Sequence, residues 1–507
     1  MKKAVIPVLF LCLASLTACG GGTMAVITPP PPPPPAVVKA NVSVSNTTVA
    51  PFNLAMSTSF QPAEWDYTFF QTSANARETL LGNLQPQHIR LQGISQGVPQ
   101  GSAGTSSTNW DFSKLDGITQ PVLGVGDHSP EFQIAKAPPF MYVNNDSNNS
   151  FSDLTFQQFA NYAKNLVQYY DTGGFTDSGG TTHVSPAFPG QKITWWGIYN
   201  EPSINNNLTA TEYTTMYNAV VPAMQSVDPS LKFVAIELCC SSESWVQTFA
   251  AGVHSGVPVD AVATHYYSSC NQADTDTQVF ATVPTFASSI QTIYGYMAAN
   301  PALANVPVWI TENNVNADFD KGGGISACNG TTFVTDKRGS SAFFAAWRPY
   351  VFSQVGQAGA RALYHWDFDA DAQFGEVDFA TGNTQLSYWV DYWLAQMFPS
   401  GSGQQSVQVT NTDTADIEVL PVVNTDGSAV IMISNHAVAS PNDNNGAGLT
   451  AKVSLDVSSL GSFTSATEVM IDAKTSAANG PTSASISAQS PIVVNFGGYG
   501  VAFIKLQ

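Results

Sequence analysis

The sequence predicts an α/β fold, a parallel (β/α)8 TIM barrel followed by a C-terminal β-sandwich. Eight short, apolar, β-rich segments are separated by stretches with helical spacing, the alternation of a parallel barrel. No Gly-rich phosphate fingerprint follows the first of them, which argues against a dinucleotide fold. After Pro399-Ser400-Gly401 the pattern changes to alternating strands broken by Gly, Asn and Ser clusters, the signature of a sandwich.

At the N-terminus, Lys2 and Lys3 precede an apolar run from Ala4 to Leu16, followed by Thr17-Ala18-Cys19-Gly20. Residues 1–18 read as a secretory signal, too short to span a membrane as a mature helix. Leu16-Thr17-Ala18-Cys19 resembles the bacterial lipobox, which implies lipidation at Cys19 and a lipid anchor in the bacterial cell envelope, at the outer membrane or cell surface. Residues 19–40 are Gly- then Pro-rich, unbroken from Pro29 to Pro35, and read as a semi-rigid polyproline linker. The barrel is assigned to residues 41–400 and the sandwich to 401–507. Residues 41–50, with Val42, Val44 and Val49, are a candidate strand of the sandwich.

The barrel strands are expected at Leu54–Phe60, His88–Gln92, Pro121–Gly126, Ile193–Tyr199, Lys232–Glu237, Asp260–Tyr266, Pro307–Thr311 and Arg361–Trp366. Phe156, Phe159, Ala163, Leu166, Val167 and Tyr170 recur at helical spacing, with Thr155 and Gln158 as a capping box. Thr211–Val227, Thr277–Ala299 and Ser340–Gln357 read as further helices, and Tyr388–Phe398 as the helix that closes the barrel. Sandwich strands are expected at Ser406–Val409, Ile417–Val423, Ala429–Ser434, Leu449–Val457, Glu468–Asp472, Ile492–Phe496 and Val501–Leu506. That domain either binds glycan or packs against the barrel.

The 507 residues carry 18 Lys+Arg against 37 Asp+Glu, a formal net charge of −19, which excludes a nucleic-acid partner and leaves the lipid anchor as the membrane contact. Once Cys12 and Cys19 are set aside, Cys239, Cys240, Cys270 and Cys328 remain in an oxidising compartment. Cys270 and Cys328 fall on neighbouring loops and are a candidate disulfide; Cys239 and Cys240 pair with each other or with a neighbouring loop. No CxxC or HExxH spacing occurs, so neither a metal nor a cofactor is expected. Asp367-Phe368-Asp369-Ala370-Asp371 mimics the start of a calcium loop, but Ala372 stands where that loop needs Gly.

In a barrel of this kind the carboxyl ends of the strands carry the chemistry. Ile193–Tyr199 is a buried strand by pattern, and Pro202, lacking an N–H, stops the ladder just after Asn200 and Glu201. Three strands later Val308-Trp309-Ile310-Thr311 delivers Glu312 in the same way. Two carboxyls about 5–5.5 Å apart are what a retaining glycosidase needs, one as acid/base and one as nucleophile. Trp196, in mid-strand, reads as core.

Asn200-Glu201-Pro202 and Thr311-Glu312-Asn313 resemble the paired signatures of the clan A glycoside hydrolases. Arg90, His265, Tyr267 and Trp366 stand where that clan places its site residues on strands two, six and eight. Trp110-Asp111-Phe112-Ser113-Lys114-Leu115-Asp116, with Pro138-Pro139-Phe140 beyond it, is similar to glycoside hydrolase family 39; the third strand, ending Gly124-Val125-Gly126-Asp127, departs from that family's Glu-Leu. The resemblance implies a carbohydrate substrate and cleavage of β-glycosidic bonds by double displacement, β-xylosidase-like, without cofactor. It implies Glu201 as acid/base and Glu312 as nucleophile, with Arg90 lowering the pKa of Glu312 and Tyr267 hydrogen-bonding it. Asn200 would bind the sugar 2-hydroxyl, His265 would orient Glu201 or a hydroxyl, and Trp366 would floor the sugar subsite. A transglycosylase, or a non-catalytic glycan-binding lipoprotein that kept the barrel, is the alternative.

Overall fold

The computed structural model describes residues 37–60, 70, 74–92, 108–125, 130–186, 192–205, 208–239, 242–399, 401–412 and 415–507. The signal and lipobox expectations, with Cys19, lie outside them, as do most of the linker and Gly126-Asp127. Eight parallel strands close a barrel in chain order: Ala55–Phe60, Ile89–Leu91, Glu131–Ile134, Trp195–Ile198, Lys232–Leu238, Ala261–Ser269, Val308–Asn316 and Ala362–His365. Among the described residues no helix is long and apolar enough to cross a membrane.

The third strand corrects the expectation. Pro121–Gly124 belongs instead to a helix, Ser113–Gly124, and the strand is Glu131–Ile134. Leu115, Ile118, Thr119, Val122 and Leu123 are buried along that helix at a spacing of three and four, so one face packs on the barrel. The capping box is also corrected. Phe156 stands at the N-cap of the helix Gln157–Thr172 without a side-chain cap, and Asp153 Oδ2 accepts the N–H of Gln158 at 3.1 Å in place of Thr155.

Alternation along each strand sorts the side chains. Outward residues such as Trp196, 5.2 Å from Phe132 ring to ring, form the core between barrel and helices. Inward residues form layers. The lower layer is aromatic: His88, Trp195, Trp309 and Tyr364, with Trp309 4.5 Å from His88 and 4.6 Å from Trp195 between ring centroids. Arg90, two residues beyond His88, belongs to a polar layer that strands three, five, six and seven complete with Gln133, Glu237, His265 and Glu312, all buried.

Residues 401–507 form most of a single nine-stranded sheet curled around its own apolar core. Third from one edge it holds Val37–Pro51, antiparallel to Gln405–Thr412 and parallel to Thr450–Asp456, the one parallel pair in this sheet among the described residues. The sheet packs against the barrel helix Ala342–Gln357, with Ser434 donating to the Ala346 carbonyl at 2.7 Å. A second contact reaches the mouth. The carboxylate of buried Asp276 accepts the N–H groups of Asn445 and Gly446 at 2.8 and 2.9 Å, and the Tyr499 hydroxyl at 3.2 Å.

Candidate active site

The fourth strand ends at Ile198, and the chain then turns through left-handed conformations at Tyr199 (φ 72°) and Glu201 (φ 44°) before Pro202 opens a short helix, Pro202–Asn205. The fifth strand does the same. A bulge between Ala235 and Leu238 puts Ile236 at φ 79° and Glu237 at φ 44°. For a β-branched residue such as Ile236 this backbone is strained, and strain of this kind clusters at active sites. Tyr213 holds both strand ends: its hydroxyl accepts the Ile236 N–H at 2.6 Å and donates to the Ile198 carbonyl at 3.0 Å.

These turns aim Glu201 at Glu312, which follows a register shift in the seventh strand. His265 Nδ1 stands between them, 2.9 Å from Glu201 Oε1 and 3.4 Å from Glu312 Oε2. The three groups offer atoms all within 4.8 Å of one another. Such an approach suits the close pair of carboxyls by which one attacks directly and the other transfers a proton. Tyr267 donates to Glu312 Oε2 at 2.8 Å, and Arg90 Nη1 donates to Glu312 Oε1 at 3.1 Å. Asn200 Oδ1 accepts from Arg90 Nη2 at 3.1 Å and Gln133 Nε2 at 2.9 Å, which turns its own amide N–H groups the other way. Trp366 follows the eighth strand, its Nε1 donating to Gln92 Oε1 at 3.2 Å and its ring edge-on to Tyr267. The sequence-predicted site residues therefore meet in one polar cluster. Cys270 and Cys328 are joined by a disulfide across the loops after strands six and seven, with Cα atoms 5.8 Å apart, and Cys239 is disulfide-bonded as well.

Arg90 pulls the proton affinity of Glu312 down, as expected, but it serves a second carboxylate as well. Its Nε and Nη2 both donate to Glu237 Oε2, at 2.9 and 2.6 Å, so most of its charge is spent on Glu237 and Glu312 receives one N–H. Burial would lower the Arg90 pKa, but Glu237, Glu312 and Glu131 outweigh it and raise it. At Glu312, by contrast, burial prevails. His265 and Arg90 pull its proton affinity down, yet it stays above the ordinary carboxylate value rather than below it. Burial would make His265 less basic, but Glu312, Glu201 and Glu237 reverse this and raise its pKa to about 9. At neutral pH it is an imidazolium.

Glu237, Glu131, Gln133 and Gln92 were not singled out from the sequence. Glu237 carried the signal that identified Glu201 and Glu312, a Glu closing a β-rich run. Glu131 and Gln133 sit on the misplaced third strand.

Two clusters among the described residues have metal-ligand spacing, Glu201–His265–Glu312 and His365–Glu376–Asp391. In the second cluster His365 Nε2 donates to the Phe374 carbonyl at 2.7 Å and Nδ1 lies 2.8 Å from Asp391 Oδ2. Arg348 Nε donates to Asp391 Oδ1 at 2.9 Å, which places a fixed cation beside the group.

No family model matches the chain. A curated β-xylosidase of Geobacillus stearothermophilus is 33% identical over 81 residues, 15% of this chain and 16% of that protein, so the chain aligns with about a sixth of its relative's length. Among solved structures, a monomeric β-xylosidase from Caulobacter crescentus CB15 is 15% identical with a TM-score of 0.62, over 93% of this chain and 99% of that one. The family 39 glycoside hydrolase from Xanthomonas axonopodis pv. citri is 13% identical with a TM-score of 0.60, over 93% and 98%. A family 30 subfamily 8 xylanase from Clostridium acetobutylicum is 13% identical with a TM-score of 0.56, over 92% and 99%. At these identities the likeness is one of fold, and it covers barrel and curled sheet together.

Proposed function

We propose that this chain is a retaining glycoside hydrolase of clan A that cleaves β-glycosidic bonds of a polysaccharide or oligosaccharide by double displacement. The observation that carries the reading is the approach of one oxygen of Glu201 to one of Glu312 within 4.8 Å, from strands four and seven of the barrel. Glu312 attacks the anomeric carbon from the position fixed by Tyr267 and Arg90. Glu201 protonates the departing oxygen, then removes a proton from the incoming water. His265, as imidazolium, donates to Glu201 and adds positive charge beside Glu312. Asn200, with its carbonyl oxygen occupied by Arg90 and Gln133, presents an N–H to the sugar 2-hydroxyl. Trp366 supplies the flat apolar face of the subsite.

The β-xylosidases and xylanases among the similar proteins make an aryl β-xyloside the first substrate to assay. Lipidation at Cys19 belongs to the same proposal and rests on the sequence alone; it holds the enzyme at the cell envelope. A Glu201→Ala enzyme mixed with an activated aryl β-glycoside is expected to release the aryl group in a burst and accumulate a glycosyl ester on Glu312, visible by mass spectrometry. Equal residual turnover in Glu201→Ala and Glu312→Ala proteins, together with retained glycan binding, would sink this reading in favour of a binding protein. Transfer to an added sugar in preference to water would identify a transglycosylase.

A further inference from the structure

Beneath the two carboxyls lies a second pair. Glu131 and Glu237 are both fully buried on the third and fifth barrel strands. Glu237 Oε2 accepts three N–H groups, two from Arg90 and one from Gln133 Nε2 at 2.7 Å, while its Oε1 has no donor. Glu131 Oε2 accepts the Tyr364 hydroxyl at 2.8 Å, and its Oε1 also has no donor. Both orphaned oxygens converge on Gly197, in the strand between them. A Cβ there would overlap Glu237 Oε1 and come within 3.1 Å of Glu131 Oε1.

Two buried acceptors facing one space, with no donor for either, is a costly arrangement that one proton resolves. We infer that Glu131 and Glu237 share a single proton, carried by Glu131, and that Glu237 is thereby a positioning residue that orients Arg90 and, through Gln133, Asn200. The groups facing the pair are Arg90, Tyr364, His265 and, across Arg90, Glu312. Burial and then the charge of Glu237 raise the Glu131 pKa to about 8, while Arg90 and His265 overcome burial to hold Glu237 below the ordinary value. The pair thus carries one negative charge at neutral pH, enough to balance Arg90 without cancelling its pull on Glu312.

The consequence for Glu237 rests on the glycosidase reading; the shared proton does not. Because folded Glu131 holds a proton that the unfolded chain releases, its contribution to stability is full below about pH 4.5 and is lost as pH rises through about 8. A Glu131→Gln protein, whose amide reproduces the donor and acceptor of a neutral carboxyl, escapes that loss. Its Tm should therefore gain steadily on the wild type from about pH 5 to about pH 8. A gap that does not change with pH, or a Glu131→Gln protein that fails to fold, overturns the shared proton.

For Glu237→Gln, kcat should fall about 100-fold with KM changed far less, as for a misplaced reacting group. The acid limb of kcat/KM should move to lower pH, since Arg90, no longer balanced, draws a proton off Glu312. An unmoved acid limb would leave Glu237 a merely structural residue. If no glycoside is turned over by any form of the protein, the activity reading fails, and the stability comparison still decides the shared proton.

Discussion

Each oxygen of Glu312 has its own donor, the Tyr267 hydroxyl at 2.8 Å on Oε2 and an Arg90 N–H at 3.1 Å on Oε1. The two differ in kind. The Arg90 bond is part of a network anchored on Glu237, so its removal disturbs several groups at once. Tyr267 bonds to the one carboxylate, and Tyr267→Phe deletes a single O–H. A hydrogen bond to an ionised group is worth about 1.5–3 kcal/mol. Tyr267→Phe should therefore lower kcat/KM on the order of 10–100-fold while leaving the fold intact, measured on an aryl β-xyloside with thermal unfolding as the control. A loss below about twofold would mean that Glu312 needs no orienting donor on that side.

At the scale of elements, the loops after strands six and seven are joined by Cys270–Cys328, 58 residues apart in sequence. A cross-link closing a loop of that size stabilises by about 2–4 kcal/mol. Reduction should lower the Tm of the intact protein, and an unchanged Tm with both thiols titrated free would refute a bracing role. The elements themselves were legible to differing degrees for one physical reason. Segments such as Ile193–Tyr199 and Pro307–Thr311 read as strands because apolar residues dominate them. Glu131–Ile134 places Glu131 and Gln133 inside the barrel, so the strand nearest the buried charges looks like a polar loop. Pro121-Val122-Leu123 looks β-rich although its burial follows helical spacing. The meeting of Glu201 with Glu312 could be read from strand ends alone. That Arg90 serves Glu237 first could not, because it depends on the bulge that turns Glu237 inward.

At the scale of the whole molecule, the curled sheet is fastened to the barrel at its helical flank through Ser434 and at its mouth through Asp276. The Asp276 contact lies six residues beyond Cys270, so sheet, disulfide and cleft rim form one connected support. On the proposal above, anchoring at Cys19 and chemistry at Glu201 and Glu312 are separate functions. A Cys19→Ala protein should leave the membrane fraction for the soluble one, with unchanged kcat/KM on a small soluble glycoside. Retention in the membrane would show that attachment does not run through Cys19.

The placement of Val37–Pro51 gives this separation a mechanical meaning. The strand is stitched on both sides, to Gln405–Thr412 and to Thr450–Asp456. A pull applied at Val37 along the strand axis would load two rows of hydrogen bonds in shear, where they must yield together. The sheet should therefore hold this strand against a force that would peel away a strand paired on a single side.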